Sequence, residues 1–252
     1  MFPALFVSHG SPTLPFDDCP ARDFLRGLGG QLAKPSAILA VSAHWDTDGP
    51  MLNAVAHNDT IHDFYGFPKA LYELSYNPPG SPALAGRTAE LLKQTELPAQ
   101  IDTDRGLDHG AWVPLMLMFP AADIPVVQLS IQTARGPRHH IELGRALRGL
   151  RDDVLILASG GFVHNLRAIV WEGGPEPDWS RVFSDWMDRA LVEGRDDDLA
   201  QYRGRAPGAV MAHPTDDHLM PLFVAYGAGD KATRLHSSLT FGSLRMDAYR
   251  FD

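Results

Sequence analysis

The sequence predicts an α/β protein, a single domain over residues 1–252 with a central mixed or parallel sheet flanked by helices. Two observations predict it. Continuous apolar runs of strand length occur at Pro3–Val7, Ala37–Ser42, Ile124–Ser130 and Val154–Ala158, without the polar alternation of a half-exposed strand. Such runs fit strands buried on both faces. Helical patterns lie between and after them, and strand–helix alternation along a chain is the signature of a layered α/β sandwich.

The elements follow in order. The strand Pro3–Val7 leads to a helix at Ala21–Leu32, and Ala37–Ser42 is the second strand. Helices are expected at Pro82–Gln94 and Gly110–Met118, the latter capped by Asp108. The strand Ile124–Ser130 precedes a helix at His139–Leu150, and Val154–Ala158 precedes one at Trp179–Glu193. Thr215 reads as the N-cap of a helix at Asp216–Tyr226, with Asp216 and Asp217 favourably placed in its first turn. Arg234–Leu239 and Leu244–Phe251 form a terminal strand pair around a turn at Gly242. The Pro/Gly-rich stretches Asn77–Pro82 and Gly173–Pro177 are too short for domain linkers.

Composition removes several classes of function. A formal charge of −9 without any basic run argues against nucleic acid as a partner. No stretch approaches the ~20 apolar residues of a membrane span, and the first ten residues lack the basic region of a signal peptide, so a cytoplasmic location is expected. Cys19 is the only cysteine, which excludes internal disulfides and thiolate clusters. The sequence has no H-E-x-x-H, nucleophile elbow, Walker loop or dinucleotide fingerprint.

What remains is histidine, of which there are eleven. His9 and His44 stand just past the ends of the first two strands, and His164 follows the fourth. Open α/β sheets bind ligands outside the carboxyl ends of their strands, so three strand ends would deliver three imidazoles to one edge. A single histidine at a strand end is ordinarily a hydrogen-bonded structural residue. Three at one edge point to a divalent metal, because neutral imidazole is a good ligand for zinc and for divalent iron. His218, near a helix start, is a fourth candidate, and His109, beside Asp108, a fifth. His139 and His140 read as a solvated helix start, His236 as surface, and His57 and His62 as flanking a loop at a pocket mouth.

Six blocks carry a resemblance. They are LFVSHGSP (Leu5–Pro12), VSAHW (Val41–Trp45), IHDFYGFP (Ile61–Pro68), GLDHGAW (Gly106–Trp112), SGGFVHNLR (Ser159–Arg167) and PTDDH (Pro214–His218). In this order they resemble the DODA-type members of the class III extradiol ring-cleaving dioxygenases. Each block is short, but six in register are highly specific. The resemblance implies a single divalent metal, Fe(II) for turnover or Zn(II), held by His9, His44 and His218. It implies His164 at the metal as a further ligand or as the acid/base, and His109 in contact with substrate or oxygen. A catechol and O2 would be the reactants, with a histidine base, His164 or His109, removing a phenolic proton. His62, Trp45 and Tyr65 are expected to contact the substrate, and Phe64 is a further candidate. Trp112 is read as core.

The wider class uses two histidines and a carboxylate, whereas the third position here is His218. An all-histidine site also suits zinc, so a zinc-dependent hydrolase on the same scaffold is the alternative, followed by a non-catalytic metal-binding relative. Oxygen uptake with a catechol discriminates among them. The sequence leaves open the catechol, the bond cleaved and whether the chain forms a homo-oligomer.

Overall fold

The computed structural model describes residues 1–252, and its core is one eight-stranded mixed sheet. In chain order the strands are β1 (Ala4–Ser8), β2 (Ala37–Asp46), β3 (Met51–Asn53), β4 (Gln100–Asp102), β5 (Val126–Ile131), β6 (Val154–Gly160), β7 (Ala232–His236), β8 (Leu239–Thr240), β9 (Leu244–Arg245) and β10 (Ala248–Phe251). The order across the sheet is β4-β3-β5-β2-β6-β1-β10-β7, and β8 and β9 form a separate small hairpin. The central strands β5, β2, β6 and β1 are mutually parallel, while β10 runs antiparallel to both β1 and β7.

Side chains of alternate parity along the central strands enter two different cores. Ala4 and Phe6 of β1, Leu39 and Val41 of β2, and Ile156 and Ala158 of β6 point into the larger core. The helices Pro82–Gln94, Gly136–Ala146, Asp178–Val192 and Met220–Ala228 cover that face. Leu5 and Val7, Ile38 and Ala40, and Leu155 and Leu157 face the other core, under the helices Pro20–Leu28 and His109–Met118. Both faces are therefore dry, which is why these strands read as unbroken apolar runs.

Several boundaries differ from the sequence reading. β2 continues four residues past Ser42, so His44 lies within its last turn of strand rather than beyond it. The helix expected at His139–Leu150 begins at Gly136, which moves His139 and His140 inward. His140 is fully buried, its Nδ1–H donating to Gly136 O at 2.7 Å, and is no solvated helix start. Asp216–Tyr226 is a 3-10 turn, Asp217–Leu219, followed by the helix Met220–Ala228, and Thr215 is not its cap. The terminal strands do pair, β7 with β10, but as the edge of the main sheet. The turn at Gly242, where φ is +73°, closes the β8–β9 hairpin instead. His236 is half-buried and stacks on Phe24.

Candidate active site

Three imidazoles meet at the carboxyl ends of the central strands. His9 follows β1 directly, His44 lies near the end of β2, and His218 sits in the 3-10 turn Asp217–Leu219 packed against the end of β6. His44 Nε2 is 3.1 Å from His9 Nε2 and 3.3 Å from His218 Nε2. One ring nitrogen from each of the three lies within 4.8 Å of the others.

The opposite nitrogen of each ring fixes its tautomer. The Ser159 hydroxyl donates to Gly110 O, so its oxygen accepts from His9 Nδ1–H at 2.9 Å. His218 Nδ1–H donates to Asp217 Oδ2 at 2.7 Å. His44 Nδ1 faces Asp63 Oδ2 at 3.4 Å, again an acceptor. All three Nε2 atoms therefore present bare lone pairs to one point. Burial first, and the neighbouring imidazoles second, keep the rings neutral: His9 is held well below its ordinary pKa, His44 is lowered to about 3 and His218 to about 4. Converging lone pairs without a proton between them repel, and a cation at their focus removes that repulsion. The donor set fits a divalent metal, with partners behind the ligands in the arrangement metal-binding histidines ordinarily show.

A buried carboxylate holds the floor of the site. Asp108 Oδ1 accepts from Ser42 Oγ at 2.6 Å and from Ala111 N at 3.2 Å, capping the helix His109–Met118 as the sequence predicts. Its Oδ2 accepts from Arg105 Nη2 at 3.0 Å and from Gln128. Gly110 brings this helix close to His9 and His44. A Cβ there would stand 2.3 Å from Ser42 Oγ, 2.9 Å from His44 Cδ2 and 3.2 Å from His9 Cε1.

The other two candidate histidines flank the cluster. His109 Nδ1–H donates to Asp63 Oδ2 at 2.9 Å, its backbone N–H donates to Asp63 Oδ1 at 2.8 Å, and its ring centroid is 4.0 Å from that of His44. Burial raises the Asp63 carboxyl, but the His109 bonds outweigh it and bring it down to about 2. His164 lies flat on His218, with centroids 3.5 Å apart and planes 4° apart. It stands beside the nitrogen cluster rather than in it, and burial lowers it to about 4, so it is neutral near pH 7.

Above these rings opens a cavity of about 400 Å³, walled by Phe64, Phe67, Leu166, Ile169, Trp171 and Phe241 among others. All five histidines His9, His44, His109, His164 and His218 line it. The three expected substrate contacts do not. Trp45 is buried under the Arg105 guanidinium, 4.5 Å from its ring centroid. His62 donates from Nε2 to Leu74 O at 3.0 Å and meets the edge of Phe64 from behind. Tyr65 is 92% exposed, while its neighbour Phe64 lines the cavity. Trp112 is core, as expected.

Asp63, Ser159 and Asp217, which orient the ligand rings, were not singled out as site residues by the sequence. Only their place beside histidines in the quoted blocks hinted at it, and their partners lie up to 150 residues away.

The model of the family described as the catalytic LigB subunit of aromatic ring-opening dioxygenase matches residues 3–251. The chain belongs to that family. A Beta vulgaris relative named 4,5-DOPA dioxygenase extradiol is 43% identical, covering 98% of this chain and 95% of its own. An Escherichia coli protein of the same name is 42% identical over 90% of this chain and 85% of its own. The crystal structure of an uncharacterized Escherichia coli K12 protein superposes with a TM-score of 0.84 at 36% identity, over 100% of both chains. As a LigB-family member the chain is an aromatic ring-opening dioxygenase, acting on a small aromatic substrate with O2. None of its helices is long and apolar enough to cross a membrane.

Proposed function

We propose that this LigB-family chain cleaves the ring of a catechol, of the class that includes DOPA, at one divalent iron held by Nε2 of His9, His44 and His218. The observation that carries the reading is the convergence of three unprotonated Nε2 atoms at the floor of an apolar cavity. The relatives named for DOPA support the substrate class. When bound, Fe(II) supplies the path by which electrons pass from the catecholate to O2, which zinc cannot do.

The remaining chemistry belongs to the side chains. Phe64, Phe67 and Phe241 give the cavity apolar walls against which an aromatic ring packs away from water. His164 is neutral, and neither of its ring nitrogens has a protein hydrogen-bond partner, so it is the side chain free to take a phenolic proton. His109 is held from behind by Asp63 and presents Nε2 to the cavity as a fixed polar contact.

The test uses metal-free protein reloaded anaerobically with Fe(II) or with Zn(II), then mixed with DOPA or caffeate and air. The iron form gives a yellow muconic semialdehyde and the zinc form does not. Equal product from both, or none from either, contradicts the proposal.

A further inference from the structure

Apart from its histidines, the cavity wall carries one cationic side chain, Arg245 on β9, and no carboxylate. Arg245 is only 14% exposed and is gripped from behind. Its Nε donates to Glu176 Oε1 at 2.7 Å, Nη2 to Glu176 Oε2 at 2.6 Å, and Nη1 to Ser237 Oγ at 2.8 Å. A guanidinium has five N–H donors. Three are thus engaged, and the second hydrogens of Nη1 and Nη2 have no protein acceptor. Arg245 lines the cavity, whereas its counter-charges, Glu176 and the buried Asp247 3.9 Å from Nη1, both lie outside the lining.

The geometry points to Arg245 as a carboxylate subsite, by which the chain selects catechols whose ring substituent ends in a carboxylate. This inference rests on the ring-opening reading above. An anion inside an apolar wall is costly unless it is paired, and a guanidinium with one free N–H on each terminal nitrogen matches the two oxygens of a carboxylate. Because Glu176 already fixes the fork, little side-chain freedom is lost on binding. An ammonium group finds no carboxylate on the wall and meets a like charge at Arg245. A catechol acid without an amine is therefore bound at least as tightly as the amino acid, and a catecholamine is bound worst.

Binding to the iron-loaded protein is measured by calorimetry without oxygen, so that no turnover occurs. The ligands are 3-(3,4-dihydroxyphenyl)propionate, DOPA, 4-ethylcatechol and dopamine. Arg245→Met weakens the propionate by about 10- to 100-fold and leaves 4-ethylcatechol unchanged, the size expected for losing hydrogen bonds to a charged group. Glu176→Gln keeps the cation and removes its counter-charge, so the propionate binds as well as before or more tightly. If the ion pair only held the loop together, both variants would weaken every ligand alike, and that result overturns the subsite. So does a wild-type protein that binds dopamine as tightly as the propionate. Admitting air afterwards separates the two claims: selective binding of the acid without oxygen uptake contradicts ring opening and leaves the subsite standing.

Discussion

His9 and His218 each carry their proton on Nδ1 because Ser159 and Asp217 accept it there, and His44 turns the same nitrogen toward Asp63. These partners set which nitrogen is bare, and removing one loosens the ring without removing the ligand. Ser159→Ala is expected to weaken metal affinity by about 10- to 100-fold, the usual cost of losing such a partner, read by competition with a chromogenic chelator. His9→Ala or His44→Ala deletes a ligand and loses metal and activity together. His164→Ala keeps metal while turnover falls by about 10²- to 10⁴-fold, the range for a proton-transferring group, and His109→Ala keeps metal and loses turnover through the lost polar contact. Metal analysis of the purified variants decides the matter, and full metal content in His44→Ala sinks the ligand assignment.

At the scale of elements, the site depends on how closely the helix His109–Met118 approaches the ends of β1 and β2. Gly110 permits that approach, since any Cβ there meets Ser42 and His44. Gly110→Ala is expected to displace His44 and cut metal binding while the far-ultraviolet circular dichroism stays native. Unchanged metal affinity in this variant would show that the contact is slack. The same elements explain what could be read in the sequence. The strands β1, β2, β5 and β6 were legible because both of their faces are buried, and His9, His44 and His164 were legible as residues at strand ends. Of the expected substrate contacts, Trp45, His62 and Tyr65 lie off the cavity: Trp45 follows His44 along a strand and so points to the opposite face, and nothing in the sequence separates Tyr65 from Phe64, which does line it. Arg245 lies in a short hairpin 27 residues after His218, and no spacing ties such a residue to a cavity.

For the whole molecule, buried histidines weaken the fold in acid, both those of the nitrogen cluster and His140 and His213, which lie outside it. His140 and His213 are both lowered to about 4, chiefly by burial, from an ordinary value of 6.5. A base whose folded pKa is depressed contributes stability that is complete above its unfolded pKa and is lost as pH falls through the folded one. The urea midpoint of the metal-free protein should therefore hold above pH 7 and fall between about 6.5 and 4. Asp247 works the other way: burial raises it from 3.8 to about 6, so its contribution is complete below 3.8 and lost above 6. Asp247→Asn should accordingly be more stable than wild type at pH 8, and the advantage should vanish at pH 4. A constant advantage across that range would rule out ionisation of Asp247 as its source.

The measurement that bears most directly on the account follows both atoms of oxygen. Fe(II)-loaded protein is mixed with a catechol acid under ¹⁸O₂, and the ring-opened product is analysed by mass spectrometry with rapid quenching to limit exchange of the aldehyde oxygen with water. A dioxygenase centred on His9, His44 and His218 consumes one O2 per catechol and places two labelled atoms in the product, and His44→Ala forms none. A product without label, or labelled product at wild-type rate from His44→Ala, would contradict it.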